Sequence, residues 1–269
     1  MTSDADYEQM IRSTFPTLDL WRTAAGTAFE PVAGSQLRSD DFDWPPAPIS
    51  VVAHQGLSVA TTHLQAIRAH LDPETGPGQL FPTAHDTLCR TALVGAAQAV
   101  WLLVSADHRV RLRRHRMLIA DMQRGHRQFL RDLQTYAGAE VHEATETVAA
   151  HLDTRIQEMN AKRAAACEKA VFNNTEMIRQ AAQEVFAGRP DAASLVQAAV
   201  LVWRSGSAAA HGFYWQTYGR PGMQQSAGPD ANGVAQFVVG GSVQALAEPY
   251  LAAYQISALG WKLLRQRGL

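Results

Sequence analysis

Thr91-Ala92-Leu93-Val94-Gly95-Ala96-Ala97-Gln98-Ala99-Val100-Trp101-Leu102-Leu103-Val104-Ser105-Ala106 is the longest uncharged apolar run in the chain. It falls short of the roughly 20 residues that cross a bilayer, so it reads as a buried helix and not as a membrane span. The helix is expected over about Ala84 to Ser105, with Thr83 and Asp86 as an N-terminal capping pair. Working outward, Val51–His70 forms the preceding helix, ended by Asp72-Pro73 and the turn-rich Glu74-Thr75-Gly76-Pro77-Gly78. A following helix runs from Val110 to about Thr135, before Gly138. Next comes a long helical stretch, Glu140 to Ala187. Its apolar stripe is Val141, Val148, Leu152, Ile156, Met159, Cys167 and Val171, with Phe172-Asn173-Asn174-Thr175 as a candidate interruption.

Gly188-Arg189-Pro190 stops that stretch, and Asp191 caps a helix over about 192–215. A Gly-, Pro-, Gln- and Asn-rich loop spans about 217–233. Gln236-Phe237-Val238-Val239 reads as a short extended piece, and a last helix covers about 242–265. No internal repeat is present, and no alternating run builds a sheet. The fold class is therefore all-α, an antiparallel helical bundle over residues 51–269. Residues 1–50 stand apart. Phe15-Pro16, Trp44-Pro45-Pro46 and Pro48 break long helices, leaving a short helix near Tyr7–Ser13 and an otherwise irregular arm anchored by Trp21, Phe29 and Trp44.

Composition narrows the function classes. The 269 residues suffice for a full core. Lys plus Arg is 24 and Asp plus Glu is 25, so overall charge points to no polyanionic partner, and any such signal must be local. The only two cysteines, Cys89 and Cys167, have no zinc-type spacing, which suits a reducing cytoplasm. The acidic Met1–Glu8 has no signal-peptide character. His142 and Glu146 have ligand spacing, but no Glu-x-x-His pair accompanies them, so no metal and no cofactor are expected. No Gly-rich phosphate loop occurs, and Ser205-Gly206-Ser207 lacks the strand that a nucleophile elbow needs.

The stretch Trp203-Arg204-Ser205-Gly206-Ser207-Ala208-Ala209-Ala210-His211-Gly212 carries the main chemical signal. Seven helical residues place Arg204 and His211 on one face, about 10.5 Å apart along the axis. Such a pair suits RNA cleavage without a metal. A neutral imidazole takes the proton of a 2′-hydroxyl while the guanidinium offsets charge on the phosphate. Ser207 shares the face, and Gly206 and the alanines let another backbone approach. Tyr214, Trp215 and Tyr218 follow as candidates for base stacking. Arg109, Arg111, Arg113, Arg114, Arg116, Arg124, Arg127 and Arg131 lie in 23 positions in which Asp121 is the lone acid. They form either a phosphate-tracking patch or a solvated face with salt bridges.

An Arg, four to six residues and a His late in an all-helical domain resembles the HEPN superfamily. The likeness rests on Trp203-Arg204-x-x-Ser207-x-x-x-His211-Gly212-x-x-Trp215 and on the preceding Leu88–Leu103 and Arg109–Arg116 segments, over residues 84–215. The resemblance implies a dimeric bundle whose motif helices face one another. It implies metal-independent endoribonuclease activity in toxin–antitoxin or anti-phage defence systems, with RNA and a cognate partner protein. His211 would be the general base and Arg204 the phosphate cation. Such proteins usually carry Asn, Asp or His after the Arg, where this chain has Ser205. Two other readings compete. One is a non-catalytic binding or scaffold protein with Arg204 and His211 buried as structural residues. The other is a small-molecule pocket lined by Trp203, Trp215 and Trp261 and gated by the 217–233 loop.

Overall fold

A computed structural model describes residues 3–136 and 139–269; the side chains of 139–141 and 144 are outside it. The expected stripe member Val141 and the helix end at Gly138 therefore lie outside the described side chains and residues. The all-α expectation holds. The long helices are α4 (Ile49–Leu71), α5 (Pro82–Leu103), α6 (His108–Tyr136), α7 (Ala139–Ala165), α8 (Asn174–Phe186), α9 (Ala192–Ala210) and α10 (Val243–Gly268). Among the described residues no helix is long and apolar enough to cross a membrane.

The apolar run becomes the centre of the bundle. Helix α5 packs against α4, α8, α9 and α10, and Ala92, Leu93, Ala96, Ala97, Ala99, Val100 and Leu102 are fully buried. The α4/α5 crossing is a backbone contact. A β-carbon placed on Gly56 would lie 2.6 Å from the Gly95 carbonyl oxygen, and one on Gly95 would strike the Gly56 carbonyl. Small residues at the crossing let the two helices approach closely. The start of α5 differs from the expected cap. Pro82 occupies its first turn and Phe81 its N-cap without a side-chain bond. Asp86 is buried and held by Arg220 instead.

Residues 1–50 are not an irregular arm. They form α1 (Asp4–Arg12), α2 (Phe15–Ala25) and α3 (Gln36–Asp41). Ser3 and Asp6 make a reciprocal capping box for α1. Pro16 sits in the first turn of α2, where its missing N–H costs nothing. Ile11, Phe15, Leu18, Trp21, Leu37 and Trp44 join the main core, and Trp21 stacks on Tyr254 of α10 at 5.0 Å.

The long helical stretch is two helices. Cys167 adopts a left-handed φ of 55°, and Asn173 caps α8 by accepting from the Glu176 N–H at 3.0 Å. Helices α6 and α7 pair as a hairpin with a small core of its own, Leu130, Ala149 and Leu152 against Ile156. The expected 217–233 loop contains a strand. β1 (Met223–Ala227) pairs antiparallel with β2 (Gln236–Val239), the piece expected to be extended.

Candidate functional site

Helix α9 is shorter than the expected 192–215. His211 is its C-cap, and the chain leaves through a Schellman motif. The Gly212 N–H bonds to the Ala209 carbonyl, the Phe213 N–H bonds to the Ala208 carbonyl at 2.9 Å, and Gly212 has a φ of +70°. The inner face of α9 packs on α5 through Gly206, where a β-carbon would lie 2.8 Å from the Asp86 carbonyl oxygen. The opposite face carries Arg204. Both Arg204 and His211 are exposed, which removes the reading in which they are buried structural residues. Among the described residues neither side chain has a hydrogen bond or ion pair. The His211 ring lies 5.6 Å from that of Phe213.

Ser207 does not stand free beside them. Its hydroxyl accepts from Arg90 Nε at 2.8 Å and donates to the Trp203 carbonyl at 2.7 Å. That oxygen ties α9 to α5 and leaves the catalytic set. Tyr214, Trp215 and Tyr218 are at least half exposed, in or just after a 3-10 turn at Tyr214–Thr217. The expected trio of tryptophans is not assembled. Trp261 is buried and donates to Thr61, Trp203 packs against the core, and of the three only Trp215 reaches the groove described below.

The arginine run is largely absorbed by the protein. Arg111 is 2% exposed and donates to Asp40 at 2.6 Å and to the Ser105 and Ala106 carbonyls, so it cannot contact a phosphate. Arg114 donates to the Trp101 carbonyl and Gln180, with its guanidinium over the Trp101 ring. Arg116 grips Asp43 with two bonds of 2.8 Å and Glu168 with one of 2.7 Å. Those contacts push its pKa up. Arg127 pairs with Asp153 and Arg124 with Asp121. Arg109, Arg113 and Arg131 remain exposed without a side-chain partner among the described residues. The run therefore staples the N-terminal segment, α7 and α8 onto α6, and leaves Arg109, Arg113 and Arg131 as its unpaired cations among the described residues.

A groove of about 1040 Å³ opens between α9 and α10. Arg204, Ser205, Trp215 and Arg220 line it, together with apolar residues of α1, α8, α9 and α10. At its edge Arg220 makes a two-pronged contact with Asp86, one arm at 2.7 Å. Burial raises the Asp86 pKa and Arg220 opposes that rise. The contact fastens the segment after α9 to the start of α5.

Two buried histidines escaped the sequence reading. The Phe81 N–H points to His85 Nδ1 at 3.4 Å, which leaves His85 Nε2 to donate to His70 Nδ1 at 3.0 Å. Burial, and then the neighbouring His70, push the His85 pKa down to about 4. His115 is fully buried with no hydrogen-bond partner at either ring nitrogen among the described residues. Burial depresses it to about 4 as well. Their sequence signal was a histidine on the apolar face of a helix. Among the described residues no three His, Cys, Asp or Glu side chains cluster as metal ligands.

Comparisons of the chain with family models, with curated proteins and with solved structures found no match.

Proposed function

We propose that the exposed end of α9 is a metal-independent site for RNA phosphodiester cleavage. The observation that carries the reading is the state of Arg204 and His211. Both are exposed, both lie in the last two turns and cap of one helix, and among the described residues neither is held by another side chain. An unengaged guanidinium and an unengaged imidazole are chemically available, which a core pair would not be. His211 takes the proton from a ribose 2′-hydroxyl. The 2′-oxygen attacks phosphorus, a 2′,3′-cyclic phosphate forms, and the 5′-oxygen leaves with a proton from solvent. Arg204 bears the charge that develops on the phosphoryl oxygens.

Tyr214, Trp215 and Tyr218 offer ring faces for flanking bases. The arginine pairing sets a limit on how RNA is held. With most of the α6 cations paired internally, binding depends on few phosphate contacts and falls only gently with salt. The biological setting of such an activity is the one the HEPN resemblance implies, a toxin or defence ribonuclease acting as a homodimer with a cognate partner.

The test is cleavage of total bacterial RNA in EDTA by wild type, His211→Ala and Arg204→Ala, with each protein's melting curve measured in parallel. Wild-type cleavage lost in both variants at unchanged melting temperature supports the reading. Absence of wild-type cleavage over a range of protein concentrations that allows dimers refutes it.

A further inference from the structure

We infer that the groove between α9 and α10 binds an amphiphile whose head carries an acid and an N–H or O–H donor, the chemistry of an N-acyl amino acid. This does not depend on RNA cleavage. Helices α9 and α10 each pack on α5 but scarcely touch one another, and the furrow between them holds about 1040 Å³. That is at the upper end of small-molecule sites, which run to roughly 1,000 Å³. Arg220 and Pro221, which follow α9, line it beside Ala245 at the start of α10, so the two helices run antiparallel along its walls.

Its two ends differ in chemistry. One end is the more apolar, with Leu195 and Ala198 of α9 facing Leu251 and Ala252 of α10 and Met10 and Phe186 beside them; Ser194 and Gln255 stand among these, and Arg189, paired with Asp191, is at the rim. The other is polar. Arg204 stands on the α9 wall, Gln244 and Glu248 stand on the α10 wall, and the self-neutralised Arg220–Asp86 pair with Gln216 lies between them; Arg204, Gln244 and Glu248 are the three open to a ligand. None of the three side chains has a partner among the described residues. Pro249 stands beside them. It lies inside α10 and its ring lines the same wall as Gln244 and Glu248. An unpaired carboxylate, Glu248, and an unpaired cation, Arg204, thus share one end of a mostly apolar trough. The lining of α9 runs from Ser194 to Ser205, about 16 Å at 1.5 Å per residue, enough for an extended acyl chain. A carboxylate satisfies Arg204, a head-group N–H or O–H satisfies Glu248, and the chain covers the more apolar end.

The test is titration calorimetry of the full chain with N-dodecanoylglycine, dodecanoate and dodecanol, each kept below its micellar concentration. N-dodecanoylglycine should saturate at one per chain. Dodecanoate, lacking the amide N–H, should bind more weakly, and dodecanol at least tenfold more weakly. Arg204→Ala should weaken N-dodecanoylglycine at least tenfold. Ala252→Trp fills the apolar end and should abolish binding without lowering the melting temperature; Ala198→Trp serves if that variant does not fold. The proposal is overturned if wild type shows no saturable binding, or if Arg204→Ala and the tryptophan variants bind as wild type does. It is equally overturned if none of the three molecules binds and Ala252→Trp instead abolishes a self-association of the chain, because a second copy then covers the groove.

Discussion

Gly95→Ala and Gly125→Ala are the same chemical change in two helices, and the structure gives them opposite signs. Alanine is favoured over glycine inside a helix by about 0.5–1 kcal/mol. At Gly125, exposed on α6, an added β-carbon meets nothing within 4 Å. That gain is kept in full, and at 2–4 °C per kcal/mol for a chain of this size the melting temperature should rise by about 1–4 °C. At Gly95 the β-carbon would strike the Gly56 carbonyl oxygen, with the Ala60 backbone nitrogen 3.4 Å away. Backbone atoms cannot rotate aside as a side chain can, so α4 and α5 must separate.

Separation spoils the fully buried neighbours Ala53, Leu57, Ala60, Ala92 and Ala96 together. Overpacking of this kind costs about 1–3 kcal/mol. With the obstacle a carbonyl, the upper half of that range applies, and the helix-propensity gain offsets only part. The expected net loss is about 1–2.5 kcal/mol, a melting temperature lower by about 2–10 °C. Thermal unfolding followed by far-ultraviolet circular dichroism measures both variants against wild type. A Gly95→Ala protein that melts at or above wild type would refute a backbone-limited crossing at the centre of the bundle.

Removing Arg111 should be among the most damaging single changes outside that crossing. Arg111→Met leaves the Asp40 carboxyl, 2% exposed, without its guanidinium and with only His108 nearby at 3.5 Å, and should cost about 3–5 kcal/mol in urea unfolding. Acid sensitivity should come from buried imidazoles. His85 and His115 are held neutral with pKa values near 4, against about 6.5 in the unfolded chain. Below pH 6.5 the unfolded state binds protons that the folded state refuses. Stability should therefore be flat above about pH 7 and fall between about 6.5 and 4, by up to about 3 kcal/mol per histidine. His115→Leu should flatten that slope in unfolding curves taken at pH 7.5 and 5, and an unchanged slope would exonerate His115. Arg220→Ala should leave Asp86 buried without its cation and loosen the segment after α9, raising amide hydrogen exchange across Tyr214–Ala227 more than across α4.

Local rules made most helix ends legible. Gly188-Arg189-Pro190 and Ser242 mark real boundaries because capping and proline sterics act within a few residues. Residues 1–50 misled because Pro16 looks like a breaker at any position. It breaks nothing in the first turn of α2, and only Trp21 meeting Tyr254 reveals that the segment is core. The arginines of α6 misled for a different reason. Their acids lie 71 and 73 positions away at Asp40 and Asp43, and 26 away at Asp153, so a local window sees unpaired cations where the fold has pairs. The Gly56/Gly95 contact is likewise invisible until two helices are crossed. At the site, the helix that carries Arg204 and ends at His211 was legible from the boundary residues at its start. The engagement of Ser207 by Arg90, 117 positions away, was not.

Arg204 gains meaning from that contrast. Arg111, Arg116, Arg127 and Arg220 each have a carboxylate within hydrogen-bond reach, whereas Arg204 lines a groove with no partner among the described residues. Both proposals draw on this one cation, so Arg204→Ala weakens each and separates neither. Their second residues separate them. His211 does not line the groove, and Ala252 lies on α10, away from the end of α9. If both readings hold, His211→Ala should end RNA cleavage while N-dodecanoylglycine binds as before, and Ala252→Trp should end that binding while cleavage persists. If Ala252→Trp also abolishes cleavage in a folded protein, the groove is itself part of the RNA path. The amphiphile would then be a competitor at Arg204, and adding N-dodecanoylglycine to wild type should slow cleavage in proportion to groove occupancy.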